Sequence, residues 1–173
     1  MLELILGGAR SGKSRLAERL ASESGLPVTY IATCEPRDQE MRERVAQHRA
    51  QRPAEWALIE EPKALAQVLR EHAAADRCLL VDCLTLWLSN LLLSPNEHDW
   101  ARERQALFDC LPDLPGRIIL VSNETGLGVV PMGELSRRFV DESGWLHQQL
   151  AADCHRVVFC IAGLAQILKG EAL

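Results

Sequence analysis

The sequence predicts an α/β fold in which a mostly parallel β-sheet is flanked by helices. Short apolar runs alternate with longer segments of helical spacing along the chain, which is the pattern of strands and helices that follow one another. The apolar runs contain few polar residues, as expected for strands that are buried on both faces. A length of 173 residues suits one domain, here residues 1–173, and allows roughly 70% of the chain's surface to be buried.

Three strands and three helices are predicted in the first half of the chain. Leucine and alanine side chains three and four residues apart indicate the first helix, which ends at Gly25. Proline residues introduce the second strand, end the charged second helix and begin the third helix. The predicted strands are 2–6, 28–33 and 56–59, and the predicted helices are 14–24, 38–52 and 63–74.

The second half of the chain continues the same alternation. A fully apolar strand is followed by an apolar helix, which stops before the turn-forming residues 94–96. The loop 123–131 contains two glycines and follows a strand, a position where ligand-binding loops lie in open α/β sheets. The predicted strands are 78–81, 117–122 and 157–162, the last of the chain, and the predicted helices are 84–93, 97–111 and 134–152.

Composition excludes several classes of protein. The net charge is −5, whereas a general nucleic-acid binder carries a positive surface, so nucleic acid is not expected as a partner. The longest apolar stretch, 78–93, is interrupted by Asp82 and Asn90 and is too short to span a bilayer. Because the chain also lacks a basic and apolar leader, we expect it in the cytoplasm. The six cysteines have no metal-binding spacing and are expected to be buried thiols.

The strongest motif is GGARSGKS at residues 7–14, which fits the phosphate-loop pattern G-x-x-x-x-G-K-[ST]. It lies between an apolar strand and an amphipathic helix, as the motif requires. Glycines let the backbone turn around an anion with its N–H groups pointing inward, and the helix dipole adds positive charge. The motif predicts a P-loop NTPase-like fold whose nucleotide-binding residues are Gly7, Gly8, Ala9, Arg10, Ser11, Gly12, Lys13 and Ser14.

Two further roles follow from the motif. Lys13 is the predicted catalytic cation, since this lysine reaches the β- and γ-phosphates. The Ser14 hydroxyl is predicted to bind Mg²⁺, the cofactor that a nucleotide site of this kind implies. Asp82 ends the apolar strand 78–81, where a second ligand of the metal is expected. Asp82 could also cap the helix that follows it, and the two roles are compatible.

His48 differs from the other histidines because cations surround it. Arg44, His48 and Arg52 are spaced by four residues, and Arg49 lies beside them, so a helix places them together. Cations would favour phosphate binding and keep the imidazole neutral, so that it could attack the α-phosphorus of a nucleotide. The spacing alone favours the alternative of a solvated, charged helix face. The remaining histidines, His72, His98, His147 and His155, are expected on the surface or at helix ends.

Several segments together resemble the bifunctional adenosylcobinamide kinase / adenosylcobinamide-phosphate guanylyltransferase family of cobalamin biosynthesis. DCLTLWLSN at 82–90 and NETGLGVVP at 123–131 are the most specific of these segments, whereas the phosphate loop is shared by many NTPases. The segments occur in the order of the family and cover nearly the whole chain. They are 4–14, 30–33, 44–49, 56–62, 81–90, 122–131 and 138–144.

The resemblance implies two activities. The first transfers the γ-phosphoryl group of ATP or GTP to the aminopropanol hydroxyl of adenosylcobinamide. The second joins GMP from GTP to the new phosphate, releases pyrophosphate and gives adenosylcobinamide-GDP. In the family a histidine carries the GMP, and His48 occupies that position, so the resemblance reverses the interpretation favoured by spacing alone. It also implies a homo-oligomer, a trimer, and a set of nucleotide contacts at Ala32, Thr33, Cys34, Arg49, Ala50, Gln51, Arg52, Glu60 and Asp82.

Some features have less specific interpretations. Cys34 stands where the family more often has alanine. The loop 123–131 is expected to help form the corrinoid or nucleotide cleft, without an assigned chemical role. Trp87 and Trp100 are expected to pack in the core. The alternative functions are a small-molecule kinase in which His48 is structural and a GTP-dependent binding or switch protein whose loop 123–131 responds to nucleotide.

Overall fold

The computed structural model describes residues 1–35, 39, 43 and 53–173. Its strands are β1 (Leu2–Gly7), β2 (Val28–Ala32), β3 (Ala57–Glu60), β4 (Cys78–Asp82), β5 (Arg117–Asn123), β6 (Arg156–Ile161) and β7 (Leu164–Lys169). Its helices are α1 (Lys13–Ser22), α2 (Leu65–His72), α3 (Leu84–Leu92), α4 (Asp99–Cys110) and α5 (Glu134–Asp153), and a short 3₁₀ turn covers Leu111–Asp113. In the described part of the chain no helix is long and apolar enough to cross a membrane.

The strands within these residues form one sheet in the order β3-β2-β4-β5-β1-β6-β7. All neighbouring pairs are parallel except β6 and β7, which are antiparallel. The predicted α/β fold with a mostly parallel, helix-flanked sheet is therefore confirmed. Because the parallel strands run in one direction, β1, β2, β3, β4 and β5 all end at the same edge of the sheet, which we call the carboxyl edge.

The core has two layers, one on each face of the sheet. Alternating side chains of one strand enter opposite layers, as the period of two in a strand requires: Leu4 and Leu6 belong to one layer and Ile5 to the other. Helix α1 covers the face of Ile5, whereas α2, α3, α4 and α5 cover the opposite face. The sheet is therefore buried on both sides, which explains why its central strands are continuous apolar runs.

The predicted core positions of the tryptophans are confirmed. Trp87 and Trp100 are buried and pack edge to face, with ring centroids 5.4 Å apart. The indole N–H of Trp87 donates a hydrogen bond to the carbonyl oxygen of Lys63 at 2.8 Å.

All six cysteines are free thiols; five of them are buried, and Cys34 is half-buried.

The prediction that 157–162 is the last strand is wrong, because β7 follows it. The two strands are joined by Ala162 and Gly163, whose φ angles of 52° and 78° are both positive. Two such residues form the hairpin turn that suits antiparallel strands. Every residue of β7 is exposed, so the strand lacks the alternation of buried and polar residues that marks strands in a sequence. Alanine at the first turn position also hides the hairpin, since asparagine, aspartate or glycine is usual there.

Candidate functional site

The phosphate loop joins the end of β1 to the start of α1 at the carboxyl edge. Lys13 is only 9% exposed, and its ammonium donates a hydrogen bond to the carbonyl oxygen of Gly8 at 3.3 Å. The Ser11 amide donates to the same carbonyl at 3.3 Å. These bonds bring the two ends of the loop together. The positively charged ammonium of Lys13 lies at the first residues of the loop. Residues 7–14 thus form one compact turn, and nucleotide binding by these residues stays a prediction.

Glycines are required in this loop by close approach and by backbone conformation. A Cβ atom at Gly7 would lie 2.5 Å from both the Cys160 carbonyl oxygen and the Ser11 hydroxyl oxygen. Gly12 has φ +94°, and a Cβ atom there would lie 3.2 Å from the Cα atom of Gly163. The Gly163 amide also donates to the Ser11 carbonyl oxygen at 2.9 Å. The turn between β6 and β7 therefore braces the phosphate loop, a contact that the sequence did not reveal.

The residues around the loop fit a nucleotide with Mg²⁺. The Ser11 hydroxyl is buried and has no hydrogen-bond partner among the described residues, so it is available to a bound anion. Ser14 and Asp82 supply a hydroxyl and a carboxylate, which are hard oxygen ligands. Magnesium bound to a nucleotide needs only one or two such ligands from the protein, since phosphates and water complete its shell.

Asp82 lies at the carboxyl end of β4, two strands from β1 in the sheet. With the usual strand spacing this corresponds to roughly 10 Å between the two strands. Burial, together with the neighbouring Asp82 carboxylate, raises the pKa of the Cys83 thiol to about 11, although the Lys13 ammonium acts in the opposite direction. The thiol therefore stays protonated at neutral pH.

A second group of predicted residues lies at the carboxyl ends of β2 and β3, where Ala32 pairs with Glu60. Cys34 is half-buried and Glu60 is exposed. Thr33 differs from them because it is fully buried and its hydroxyl is bonded to the Cys83 backbone. Ala32, Cys34 and Glu60 can thus present atoms to a ligand, whereas the Thr33 hydroxyl is used within the protein.

Five predicted site residues lie outside the described residues, namely His48, Arg49, Ala50, Gln51 and Arg52. The same holds for Arg44 and for most of the predicted helix 38–52. Their roles stay predictions from the sequence.

A cluster that the sequence did not reveal surrounds Glu124. Its amide donates to the Gly7 carbonyl oxygen at 3.1 Å, and its carboxylate Oε2 lies 3.6 Å from His147 Nδ1. His147 Nε2 lies 2.7 Å from the Ser122 hydroxyl oxygen. The predicted surface position of His147 is wrong, since only 6% of the residue is exposed. Burial lowers the pKa of His147, and the nearby Glu124 opposes that shift, so the ring is neutral at pH 7.

One sequence signal could have placed His147 in the interior. Ser143, Leu146, His147 and Leu150 share helical spacing on α5 and are all buried. A histidine among leucines on one helix face is more often interior than solvated.

Comparison with known proteins gives a consistent result. The family model described as cobinamide kinase / cobinamide phosphate guanyltransferase matches residues 3–168. The bifunctional adenosylcobalamin biosynthesis protein CobP of Pseudomonas aeruginosa is 68% identical over 173 residues, covering all of both chains. The proteins named CobU from Escherichia coli and Salmonella typhimurium are each 36% identical over 182 residues, covering 98% of this chain and all of theirs.

Two solved structures are similar to this chain in fold alone. The RadB recombinase has a TM-score of 0.50 and 18% identity, and the match covers 91% of this chain and 73% of that one. The PH0250 protein of Pyrococcus horikoshii has a TM-score of 0.53 and 11% identity, with coverage of 99% and 87%. These similarities confirm the predicted P-loop NTPase-like fold and carry no information about substrate.

Proposed function

We propose that this chain, which belongs to the cobinamide kinase / cobinamide phosphate guanyltransferase family, carries out both reactions at the carboxyl edge of its sheet. The family and the two activities predicted from the sequence are confirmed by this membership. The observation that carries the proposal is the complete phosphate loop at the end of β1, with the Lys13 ammonium bound to its first turn. The nucleotides, the residue roles and the metal discussed below are parts of the proposal.

In the kinase step, the aminopropanol hydroxyl of adenosylcobinamide attacks the γ-phosphorus of ATP or GTP. A P–O bond to the acceptor forms, the bond to the β-phosphate oxygen breaks, and the nucleoside diphosphate leaves. Lys13 and the backbone N–H groups of residues 8–14 stabilise the negative charge that develops on the phosphoryl oxygens. Mg²⁺ bound by Ser14 and Asp82 would supply further neutralisation of the same charge.

In the guanylyltransferase step, His48 attacks the α-phosphorus of GTP and pyrophosphate leaves. The phosphate of adenosylcobinamide phosphate then displaces His48 and gives adenosylcobinamide-GDP. The covalent GMP-histidine divides the transfer into two displacements and keeps the phosphorus activated between them. Arg49, Ala50, Gln51 and Arg52 would contact the guanine nucleotide next to His48.

The order of the strands supports one extended nucleotide position. Asp82, Ala32 and Glu60 end the strands that lie second, third and fourth from β1, so they are spread over roughly 10 to 19 Å from the phosphate loop. A nucleoside triphosphate with its phosphates at the loop can therefore extend along the carboxyl edge past Asp82. Its base would then approach Ala32, Cys34 and Glu60, which are among the contacts implied by the family resemblance.

We also propose a cytoplasmic homo-oligomer, a trimer as the resemblance implies. The six free thiols suit a reducing compartment. Strand β7 is an exposed sheet edge with unpaired backbone groups, which a second copy could cover. Light scattering coupled to size-exclusion chromatography measures the number of subunits, and a monomer at micromolar concentration would contradict the oligomer.

Product analysis with adenosylcobinamide and GTP tests both reactions at once. Wild-type enzyme should give adenosylcobinamide phosphate and adenosylcobinamide-GDP, and His48→Ala should give only the phosphate. Incubation with α-labelled GTP should label the wild-type protein, and acid should release the label because a P–N bond is acid-labile. Equal loss of both activities in a folded His48→Ala variant, or a label that survives acid, would contradict the covalent role of His48. If the wild-type enzyme makes only adenosylcobinamide phosphate, the chain is a kinase without guanylyltransferase activity.

A further inference from the structure

A cleft of about 320 Å³ lies beside the first half of the phosphate loop. Loop residues 8–11 form one wall, and residues 159–162, from the end of β6 into the turn, form another. Leu127 and Glu124 close the cleft from the side of β5. The walls are mostly apolar, and Glu124 brings a carboxylate to them. Of the described residues, none of the predicted nucleotide contacts outside the phosphate loop lines this cleft.

The position of Glu124 is fixed from several directions. Its amide is hydrogen-bonded to the carbonyl oxygen of Gly7 at 3.1 Å, so its main chain is tied to the start of the phosphate loop. Its Oε1 atom accepts a hydrogen bond from the Gly126 amide, and its Oε2 atom lies 3.6 Å from His147 Nδ1. The side chain keeps 21% of its surface exposed. The carboxylate is thus both held in place and open to the cleft.

The Lys13 contact indicates which end of a triphosphate lies beside the cleft. The lysine of this motif reaches the β- and γ-phosphates, and here its ammonium is at the Gly8 carbonyl oxygen. Gly8 belongs to the wall of the cleft. The γ-phosphoryl group of a bound nucleotide therefore lies next to the cleft, while the nucleoside extends away from it along the carboxyl edge.

We propose that the cleft receives the hydroxyl-bearing arm of the phosphoryl acceptor and that Glu124 is the catalytic base of the kinase step. The Glu124 carboxylate takes the hydroxyl proton as the acceptor oxygen bonds to the γ-phosphorus and the bond to the β-phosphate oxygen breaks. A carboxylate in this role orients the attacking oxygen as well as accepting its proton. The inference rests on the proposed function, because it concerns the acceptor of that same reaction.

His147 is a positioning residue for this base. Its buried ring is neutral, and Nε2 can accept the hydrogen bond of the Ser122 hydroxyl at 2.7 Å. The proton of the ring is then on Nδ1, which faces the Glu124 carboxylate. A neutral ring at this position helps to orient the carboxylate without placing a cation beside it.

Glu124→Gln tests the base, because it keeps the shape of the side chain and removes the charge. Kinase activity is measured with adenosylcobinamide and ATP, and guanylyl transfer is measured separately with adenosylcobinamide phosphate and GTP. The kinase kcat should fall by about 10²–10⁴-fold, while guanylyl transfer stays within about threefold of wild type. Glu134→Gln, which removes the same charge from the exposed start of α5, should leave both rates unchanged.

A kinase kcat of Glu124→Gln within about threefold of wild type would overturn the assignment, as would an equal loss of both activities. Wild-type enzyme that transfers GMP but does not phosphorylate adenosylcobinamide would refute the proposed kinase itself, which distinguishes the two failures.

Leu127→Trp tests the cleft independently and does not depend on the folding of the Glu124 variant, because Leu127 is 81% exposed. A larger side chain at the rim should raise KM for adenosylcobinamide by at least about tenfold and leave KM for ATP unchanged. Leu93→Trp is the matched control, since it makes the same change at a residue that is 48% exposed, follows the end of α3 and does not line the cleft. An unchanged KM for adenosylcobinamide in Leu127→Trp, or equal effects of both variants, would place the acceptor elsewhere.

Discussion

The Thr33 hydroxyl donates a hydrogen bond to the Cys83 carbonyl oxygen at 2.7 Å and accepts one from the Cys83 amide at 2.9 Å. The two residues follow the ends of neighbouring strands β2 and β4. Asn90 extends the connection, since its side-chain amide donates to the Thr33 carbonyl oxygen at 2.8 Å. These bonds hold the chain immediately after Asp82, so the carboxyl edge is rigid where the metal and the nucleotide are expected.

Thr33→Val should destabilise the protein. It removes both bonds in a fully buried place and leaves the amide and carbonyl of Cys83 without these partners, at a cost of about 2–4 kcal/mol in the free energy of unfolding. Urea denaturation measures the loss. Thr29→Val is the matched control, because Thr29 is buried on β2, the strand that Thr33 follows, and valine favours strands. A loss below about 1 kcal/mol for Thr33→Val would show that the hydroxyl is dispensable.

Gly7→Ala and Gly8→Ala should differ strongly although the residues are adjacent. A Cβ atom at position 7 would meet a backbone oxygen at 2.5 Å, whereas at position 8 nothing lies within 4 Å. Gly7→Ala should therefore lower stability by about 1–3 kcal/mol or more and weaken ATP binding, and Gly8→Ala should unfold like wild type. Thermal unfolding of the two variants measures this, and similar melting temperatures would show that the loop moves freely at Gly7.

Lys13→Ala should lower the kinase kcat by at least about 10²-fold, because a charge that stabilises the transferring phosphoryl group is lost. Arg19→Ala removes an equal charge from the exposed face of the same helix, where Arg19 pairs with Glu23 in the i,i+4 position, and should have little effect. Rates are measured with adenosylcobinamide and saturating ATP. If Lys13→Ala kept more than a tenth of the wild-type rate, Lys13 would not be a catalytic residue.

Stability should decline at mildly acidic pH because of His147. Burial holds the pKa of its ring below the ordinary value, so the unfolded chain binds this proton more readily than the folded protein does. The stabilisation is complete above the unfolded pKa of about 6.5 and is lost as pH falls below it. Glu124 and Ser122 are the polar groups that face the ring.

Urea denaturation between about pH 7.5 and pH 5.5 should show a smaller decline for His147→Gln than for wild type, since the variant cannot take up the proton. His98→Gln, at an exposed position, should follow the wild-type curve. Equal declines in wild type and His147→Gln would mean that the ring is protonated in the folded state as easily as in the unfolded one.

The strands that were predicted well are those whose residues are almost all apolar, because a continuous apolar run indicates a buried strand. β4 and β5 lie inside the sheet with helices on both faces, so their apolar runs are unambiguous in the sequence. β7 could not be predicted in this way, because it is exposed throughout and exists through its pairing with β6. The turn before β7 could not be predicted for the same reason. The hydrogen bond from the Gly163 amide to the Ser11 carbonyl oxygen was therefore not visible in the sequence.

The candidate site divides along a similar line. Lys13 and Ser14 could be predicted as site residues because the phosphate-loop motif consists of consecutive residues, with a strand before and a helix after them. Glu124 follows the end of β5, and His147 lies on α5, 23 positions further along the sequence. No residue pattern near either of them indicates that the two are in contact. Their contact depends on how α5 packs against the end of β5.

By itself, the sequence determined the alternation of strands and helices, the anion-binding turn at the start of the chain and the family, because each of these depends on residues that are neighbours along the chain or on recognisable segments. The tertiary structure alone decided that β1 lies beside β5 and β6, that the last hairpin supports the phosphate loop, and that the Glu124 carboxylate lies beside that loop. These relations come from the pairing of strands and the packing of helices that are distant in the sequence. Many strand orders are compatible with the same local pattern of residues, and the one that buries the apolar side chains best is selected.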